Sequence, residues 1–234
     1  MLEFPKPGEH ALIAGQTGSG KSVFAAETAR QFSDAPVVIL DVKLDPIWKQ
    51  LPVGEQSIGI VNSTGELSTL LRLPKRKQPD YVLIHPPRQE IADADALDAY
   101  VDVFHEKARR SAFVVDEAYS LHRAGKSGQG LTSLLTRGRS RGQSAIICTQ
   151  RPCWLSRFCL TEARHFYIFR LIDVQDRRRI TEVAPYDPDY KLDKHCFFWY
   201  KQGEDAGTVF APIPLRGDDP GFTAADEDLK HKWV

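Results

Sequence analysis

The chain has 234 residues, of which 42% are hydrophobic and 26% are charged. A chain of this length and composition buries a full core without a structural metal or disulfide, so a disordered, collagen-like or coiled-coil protein is excluded as its main description. The 31 basic residues balance the 31 acidic residues, so a polyanion would have to bind at local basic patches.

The charge is uneven at the C-terminus, where residues 217–234 hold five acids and two bases. We therefore predict one domain over residues 1–216, followed by an acidic tail over residues 217–234. The N-terminus lacks the apolar run of a signal peptide, and no stretch of about 18 apolar residues predicts a transmembrane segment. The four cysteines show neither C-x-x-C nor zinc-finger spacing, which favours free thiols in the cytosol or on a larger particle.

Apolar runs and amphipathic repeats alternate along the chain. The predicted strands are residues 10–14, 37–40, 58–61, 81–84, 113–115, 145–148 and 165–171. The predicted helices are residues 21–32, 95–110, 131–135 and 176–183. Two late apolar runs at residues 196–200 and 208–211 predict an antiparallel hairpin. Strands that alternate with helices predict an α/β fold with a mostly parallel sheet and helices on both faces, in which ligands bind at the carboxyl ends of the strands.

A glycine-rich loop lies between the first predicted strand and the first predicted helix. It matches the phosphate-binding pattern G-x-x-x-x-G-K-[ST] at every fixed position and in the context that the pattern requires. The glycines let backbone N–H groups point at phosphate oxygens, the lysine supplies a cation to the terminal phosphates of ATP, and the last serine can ligate Mg²⁺. The predicted nucleotide-binding residues are Gly15, Gln16, Thr17, Gly18, Ser19, Gly20, Lys21 and Ser22.

Two adjacent carboxylates, Asp116 and Glu117, follow the apolar strand predicted at residues 113–115. An acid at this position can hold Mg²⁺, and a second acid beside it can deprotonate an attacking water. We assign the metal to Asp116 together with Ser22, and the role of general base to Glu117. Strand ends often carry a solvated acid, but the phosphate loop upstream favours the functional interpretation.

This carboxylate pair discriminates among the reactions of nucleotides. A small-molecule kinase has no need of a hydrolytic glutamate, and a GTPase needs an N/T-K-x-D segment late in the sheet. Residues 42–45 lack the first residue of that segment and come too early. Hydrolysis of ATP is therefore the favoured reaction.

Three arginines precede the strand predicted at residues 145–148, and an amide follows it. Arg137, Arg139 and Arg141 could form a solvated face, but the functional interpretation is an arginine finger that stabilises charge on the transferred phosphoryl group. Gln150 could sense the γ-phosphate through its amide, with a plain buried amide as the alternative.

Together these segments resemble the FtsK/HerA superfamily of P-loop motor ATPases. The resemblance rests on the phosphate loop, on Asp-Val-Lys at residues 41–43, on the Asp116-Glu117 pair, and most specifically on residues 139–152, where Arg-Ser-Arg-Gly leads through a short strand to Thr-Gln-Arg-Pro. It covers roughly residues 8–185 and implies a RecA-like P-loop NTPase core. By its register Arg139 is the implied finger, with the two neighbouring arginines still open.

The resemblance also implies partners and a location. The compact size points, within the superfamily, to the genome-packaging ATPases of tailless icosahedral viruses with an internal membrane. Such a protein is expected to form a ring, with six subunits as the expected number, that pumps double-stranded DNA into a capsid. The expected partners are duplex DNA, other copies of the chain, and proteins of the capsid vertex or viral membrane. The expected location is the host cytoplasm or the virion.

A ring motor needs loops that face its pore. Residues 122–130 follow the strand that ends in the acid pair, and their Arg123 and Lys126 are the candidate contacts to DNA phosphates, which carry no sequence information. An ordinary surface loop is the alternative. A second basic cluster at residues 75–77 is interpreted as a solvated turn.

Other functions stay open at the level of sequence. One is a phage morphogenesis or secretion ATPase that acts on protein. A second is another DNA translocase of the superfamily. A third is a nucleotide-gated scaffold with negligible turnover, which the complete Asp116-Glu117 pair argues against. Stimulation of hydrolysis by duplex DNA separates a DNA motor from an ATPase that acts on protein.

Overall fold

The computed structural model describes residues 2–32, 35–123 and 126–212. The acidic tail predicted over residues 217–234 lies outside these residues. Within the described ranges, no helix combines the length and the apolar character that a membrane crossing requires. The four cysteines are free thiols.

The strands form one large sheet and a short separate hairpin. In chain order they are β1 His10–Ala14, β2 Val37–Leu40, β3 Ile58–Val61, β4 Tyr81–Ile84, β5 Ala112–Val115, β6 His122–Arg123, β7 Lys126–Ser127, β8 Ser144–Thr149, β9 Ala163–Phe169, β10 Phe197–Lys201 and β11 Thr208–Phe210. The large sheet runs in the order β11-β10-β9-β1-β8-β5-β2-β4-β3. Along that order the strands from β9 to β3 pair in parallel, whereas β10 and β11 pair antiparallel. The predicted α/β fold with a C-terminal antiparallel hairpin is therefore confirmed.

Helices cover both faces of the sheet. The α-helices of the described residues are α1 Lys21–Arg30, α2 Thr64–Leu71, α3 Ala94–Lys107, α4 Gln129–Arg137, α5 Arg157–Thr161 and α6 Val174–Thr181. Short 3-10 helices lie at Pro46–Gln50, Lys75–Lys77, Ala118–Leu121, Gly138–Arg141 and Pro152–Trp154. The sequence did not predict α2 or α5, because α2 buries only Leu67 and Leu71 and α5 has only five residues.

The sheet separates two layers of apolar core. Leu12 and Ala14 of β1 face a layer that includes side chains of α2 to α6, whereas Ala11 and Ile13 face the layer that includes α1. Parallel strands covered on both faces carry mainly apolar side chains. Most polar residues of a site are therefore expected at the edges of the sheet.

The C-terminal hairpin supports the helix that follows the phosphate loop. The ring of Phe197 on β10 lies 4.8 Å from the ring of Phe24 on α1 and 5.2 Å from that of Phe169 on β9. Within the hairpin, residue 207 must be a glycine to make room for the neighbouring Phe198, since a Cβ there would lie 2.1 Å from Cζ of that ring. The hairpin is therefore part of the core beside the phosphate loop.

A carboxylate from α3 holds the start of α4. Asp98 is buried and accepts hydrogen bonds from the backbone N–H groups of Gly130 at 2.7 Å and Leu131 at 2.8 Å. A Cβ on Gly128 would lie 2.2 Å from Cγ of Asp98, so glycine is needed for this approach. The contact fixes α4, which leads directly into the arginine-rich segment.

Replacing Asp98 with alanine should destabilise the protein. Asp98→Ala leaves two buried N–H groups without acceptors, so we expect the free energy of unfolding to fall by about 1–3 kcal/mol, measured by urea denaturation. Asp102→Ala, at an exposed carboxylate of the same helix, is the matched control and should change stability little. Equal losses in the two variants would contradict the capping role.

Candidate nucleotide-binding site

Strand ends bring residues that are distant in sequence to one edge of the sheet. Strand β1 lies between β8 and β9 and pairs with both in parallel, and β5 pairs in parallel with β8. The phosphate loop after β1, the Asp116-Glu117 pair after β5 and Gln150 after β8 therefore meet at the carboxyl edge. The structure thus brings together the residues that the sequence assigned to nucleotide binding and hydrolysis, apart from Arg139.

The phosphate loop has a backbone that only glycine adopts readily. Gly18 and Gly20 have φ angles of +73° and +100°, in the left-handed region that side chains disfavour. A Cβ on Gly15 would lie 2.6 Å from Cβ of Phe169. The loop is therefore seated closely on the end of β9, and its glycines are required by its geometry.

Lys21 and the loop offer buried polar atoms to a ligand. The Lys21 side chain is buried, its Nζ donates to the carbonyl of Gln16 at 2.9 Å, and burial lowers the pKa of Lys21. In the described part of the chain, Oγ of Ser19 and Oε1 of Gln16 are buried without a hydrogen-bond partner. Buried polar atoms are normally paired, so this loop fits a polar ligand such as a phosphate chain.

The acid pair is buried and has a lysine beside it. Asp116 and Glu117 are each 2% exposed. The Lys43 ammonium lies 2.7 Å from Oε2 of Glu117 and 3.8 Å from Oδ2 of Asp116. Burial nevertheless raises the pKa of Asp116 to about 6. Because Oδ2 of Asp116 has no hydrogen-bond partner among the described residues, this carboxylate can take a cation.

Gln150 connects the phosphate loop to the acid pair. The Thr17 hydroxyl donates to Oε1 of Gln150 at 2.7 Å, and Nε2 of Gln150 donates to Oε2 of Glu117 at 3.0 Å. The two contacts use both ends of one amide and link the loop to Glu117 through hydrogen bonds. The contact of Gln150 with the γ-phosphate stays a prediction.

Asp41 and Lys43, which the resemblance included without a stated role, and His85, which the sequence did not single out, also lie at this edge. Asp41 is 1% exposed, and its Oδ2 lies 3.5 Å from Nε2 of His85. Burial raises the pKa of Asp41. An acid after a buried strand was a signal for Asp41, but nothing in the pattern shows that Lys43 meets a carboxylate 74 residues further along the chain.

The arginine segment lies at the opposite, amino edge of the sheet. Residues Gly138–Arg141 precede β8, whose six residues rise by roughly 20 Å to the carboxyl edge. Arg141 donates to the carbonyl of His105, and Arg137 donates to the hydroxyl of Ser133 at 3.3 Å. Arg139 is exposed, and its guanidinium has no hydrogen bond or ion pair within the described ranges. The structure therefore does not bring Arg139 to the phosphate loop of its own chain.

The candidate DNA contacts lie on the small hairpin of β6 and β7. Arg123 pairs with Lys126 across the hairpin, and the Lys126 side chain is exposed. The hairpin follows the 3-10 helix Ala118–Leu121, which begins directly after Glu117. Lys126 therefore follows the acid pair in the chain and lies on the second strand of a short antiparallel hairpin.

A cavity of about 570 Å³ adjoins the phosphate loop on the side of β9. Gln16, Thr17 and Gln150 line it together with Leu171 and Ile172 and with the charged residues Arg151, Asp173 and Asp176. A cavity of mixed polarity beside a phosphate loop can receive the rest of a nucleotide. The described residues contain no cluster of three or more metal-binding side chains.

The variant Asp116→Asn tests the electrostatics of the acid pair. A folded-state pKa near 6, above the value of about 4 in an unfolded chain, means that ionised Asp116 destabilises the fold at higher pH. We expect Asp116→Asn to raise the free energy of unfolding by about 1–3 kcal/mol at pH 8, and this gain to shrink as the pH falls from 6 to 4. Urea unfolding at pH 8 and pH 4.5 measures this difference in the free energy of unfolding, and Asp102→Asn is the control at an exposed carboxylate. A gain independent of pH would contradict the argument.

Comparison with known proteins agrees with these features. No protein-family model matches the chain. The chain is 26% identical over 225 residues to the DNA packaging ATPase P9 of Enterobacteria phage PRD1, with 91% of each chain covered. Its fold is similar to that of the genome packaging NTPase B204 of Sulfolobus turreted icosahedral virus 2 in complex with AMPPCP, with a TM-score of 0.68, 16% identity, and coverage of 89% of this chain and 100% of that one. VirB4 of Thermoanaerobacter pseudethanolicus has a TM-score of 0.61 at 10% identity, with 90% of each chain covered. The resemblance to viral packaging ATPases of the FtsK/HerA superfamily, predicted from the motifs, is thus confirmed.

Proposed function

We propose that the chain is a Mg²⁺-dependent ATPase of a viral genome-packaging motor that drives double-stranded DNA into a capsid. The observation that carries the proposal is the hydrogen-bonded path from Thr17 of the phosphate loop through Gln150 to Glu117. Such a path joins nucleotide binding to the residue placed to activate water. The 26% identity to a phage DNA packaging ATPase, along nearly the whole of both chains, supports the packaging role.

Each residue of the site has a distinct part in hydrolysis. Lys21 supplies positive charge to the terminal phosphates of ATP. The Ser22 hydroxyl and Asp116 would hold Mg²⁺, which would supply further positive charge beside the phosphates. Glu117 accepts the proton of the attacking water. Lys43 and Gln150 both donate to Oε2 of Glu117, and so fix the orientation of its carboxylate.

Arg139 completes the site of a neighbouring copy. It lies roughly 20 Å from its own phosphate loop, a distance set by the length of β8, and the guanidinium groups of Arg137 and Arg141 already have partners within the chain. A finger that cannot act on its own site must act in trans. This requirement supports a ring of identical subunits, for which six is the expected number.

The proposal extends to the setting in which the motor works. Residues 1–216 act as one ATPase domain, and residues 217–234 form an acidic tail. The partners are double-stranded DNA, other copies of the chain, and proteins of the capsid vertex or viral membrane. The motor then works in the host cytoplasm and at the packaging vertex of the virion.

Two substitutions in the site test the ATPase assignment. Lys21→Ala removes the cation but keeps the loop backbone, so we expect a folded protein without turnover. Glu117→Gln should still bind Mg-ATP but hydrolyse it at least ~10²-fold more slowly. Phosphate release is measured with and without duplex DNA at several salt concentrations, and the unmodified protein should be stimulated by DNA in a salt-sensitive manner.

Two outcomes of that assay would contradict the proposal. Normal turnover by Lys21→Ala rejects the nucleotide site. Hydrolysis that a protein substrate stimulates and DNA does not favours a morphogenesis or secretion ATPase.

Mixing two inactive variants tests whether Arg139 acts in trans. Arg139→Ala subunits keep an intact Glu117, and Glu117→Gln subunits keep an intact finger, so each should be inactive alone. An arginine finger is worth roughly 10³–10⁵ in rate, and mixed assemblies should recover measurable turnover where an intact site faces an intact finger. Arg137→Ala is the matched control and should stay active alone. A lack of rescue in mixtures shown to co-assemble would mean that the finger acts within its own subunit or is another residue.

A further inference from the structure

The turn that leads into β10 lies beside the phosphate loop. Strand β10 pairs antiparallel with β9, with Phe197 opposite Phe169, so β10 begins at the carboxyl edge, where β9 ends. His195 comes two residues before Phe197, and its Nδ1 lies 3.6 Å from the point that a Cβ on Gly20 would occupy. The fold therefore places a histidine from late in the chain against the last glycine of the phosphate loop.

The backbone at His195 has a shape that does not call for a ring. The N–H of Cys196 donates to the carbonyl of Asp193 at 3.2 Å, and this bond closes a turn in which His195 is the third residue. His195 has a φ of +64°, which glycine or asparagine usually supplies at the third position of a turn. Other residues held at such angles concentrate at functional sites. The imidazole at this position therefore points to a contact that the ring itself makes.

The imidazole of His195 is half-buried and has polar atoms to offer. Neither ring nitrogen makes a hydrogen bond or an ion pair with the residues that the structure describes. The ring of Phe169 lies 3.5 Å from the same point beside Gly20 but is buried, so a ligand can reach the histidine and not the phenylalanine. An imidazole offers a flat face on which a base can stack and two nitrogens that can form hydrogen bonds.

The contacts of the phosphate loop set the direction in which a nucleotide lies. Glu117 can activate a water only beside the γ-phosphate, and Gln150 joins Glu117 to Thr17. The γ-phosphate therefore belongs at the Thr17 end of the loop, and the nucleoside belongs at the other end, beside Gly20 and the start of α1. The cavity lined by Thr17 and Gln150 adjoins the γ-phosphate end, whereas His195 lies at the nucleoside end.

We propose that His195 contacts the nucleoside of ATP through its ring. The proposal rests on the proposed function, because the direction of the nucleotide follows from the role of Glu117. The backbone N–H groups of a phosphate loop and its lysine bind phosphates alone. A contact with the nucleoside lets the site distinguish ATP from other polyphosphates, and it comes from a residue outside the motif.

The binding of two ligands tests this contact. Mg-AMPPCP and Mg-tripolyphosphate both bring three linked phosphates to the loop, but only the first carries a nucleoside. His195→Asn removes the ring and keeps a residue that tolerates the positive φ. We expect this variant to bind Mg-AMPPCP roughly tenfold more weakly, as for the loss of one stacked base, and to bind Mg-tripolyphosphate as tightly as the unmodified protein does. Titration calorimetry measures both affinities.

Two further measurements separate nucleotide binding from folding and from catalysis. The melting temperature of ligand-free His195→Asn should equal or exceed that of the unmodified protein, because asparagine suits the turn. In the ATPase assay KM should rise while kcat is kept, because a contact with the nucleoside is the same in the ground state and the transition state. Lys191→Gln changes an exposed residue of the same segment, and as the control it should leave all of these values unchanged.

Other results would overturn the proposal in distinguishable ways. An equal loss of affinity for both ligands in His195→Asn means that the residue acts on the phosphates or supports the loop. Unchanged binding of both ligands rejects the contact but leaves the proposed ATPase intact, and weaker binding of Mg-AMPPCP by Ile172→Ala then places the nucleoside in the cavity beside β9. Binding of neither ligand by the unmodified protein rejects the proposed function as well.

Discussion

The contact between Lys43 and Glu117 is the interaction on which the candidate site depends. Two adjacent carboxylates at the end of a buried strand repel each other and lose hydration. Lys43 reaches them from β2, which is the paired neighbour of β5, and places its ammonium 2.7 Å from Glu117. A buried charge without a partner is costly, so the order of the strands and the chemistry of the acid pair are linked. Gln150, arriving from β8 on the other side of β5, completes the enclosure of Glu117.

The parallel sheet keeps different kinds of polar residue at its two edges. The candidate nucleotide-binding and hydrolytic residues follow the strands, whereas the arginine segment Gly138–Arg141 precedes β8. The strands between these edges are mostly apolar and buried on both faces, with a few buried polar side chains such as those of His165 and Ser144.

Local sequence patterns predicted much of this molecule, and distant pairing explains what they missed. The phosphate loop and the acid pair each lie within a few consecutive residues, and the fold carries them to one edge as the alternation of strands and helices predicted. Helix α2 has too short an apolar stripe to be recognised. Lys43 belonged to the resemblance, but its contact with Glu117 depends on a residue elsewhere in the chain. Among three alternating arginines, the register of the resemblance pointed to Arg139 and left the other two open. In the structure Arg137 and Arg141 donate hydrogen bonds within the chain, and the finger stays a prediction.

The proposed role of Arg139 would have a consequence for when ATP is consumed. A subunit whose finger reached only another copy would lack a complete site while it is free in solution. Hydrolysis would then begin only once copies stand edge to edge. The length of β8 between the arginine segment and the carboxyl edge would in this way link ATP consumption to assembly.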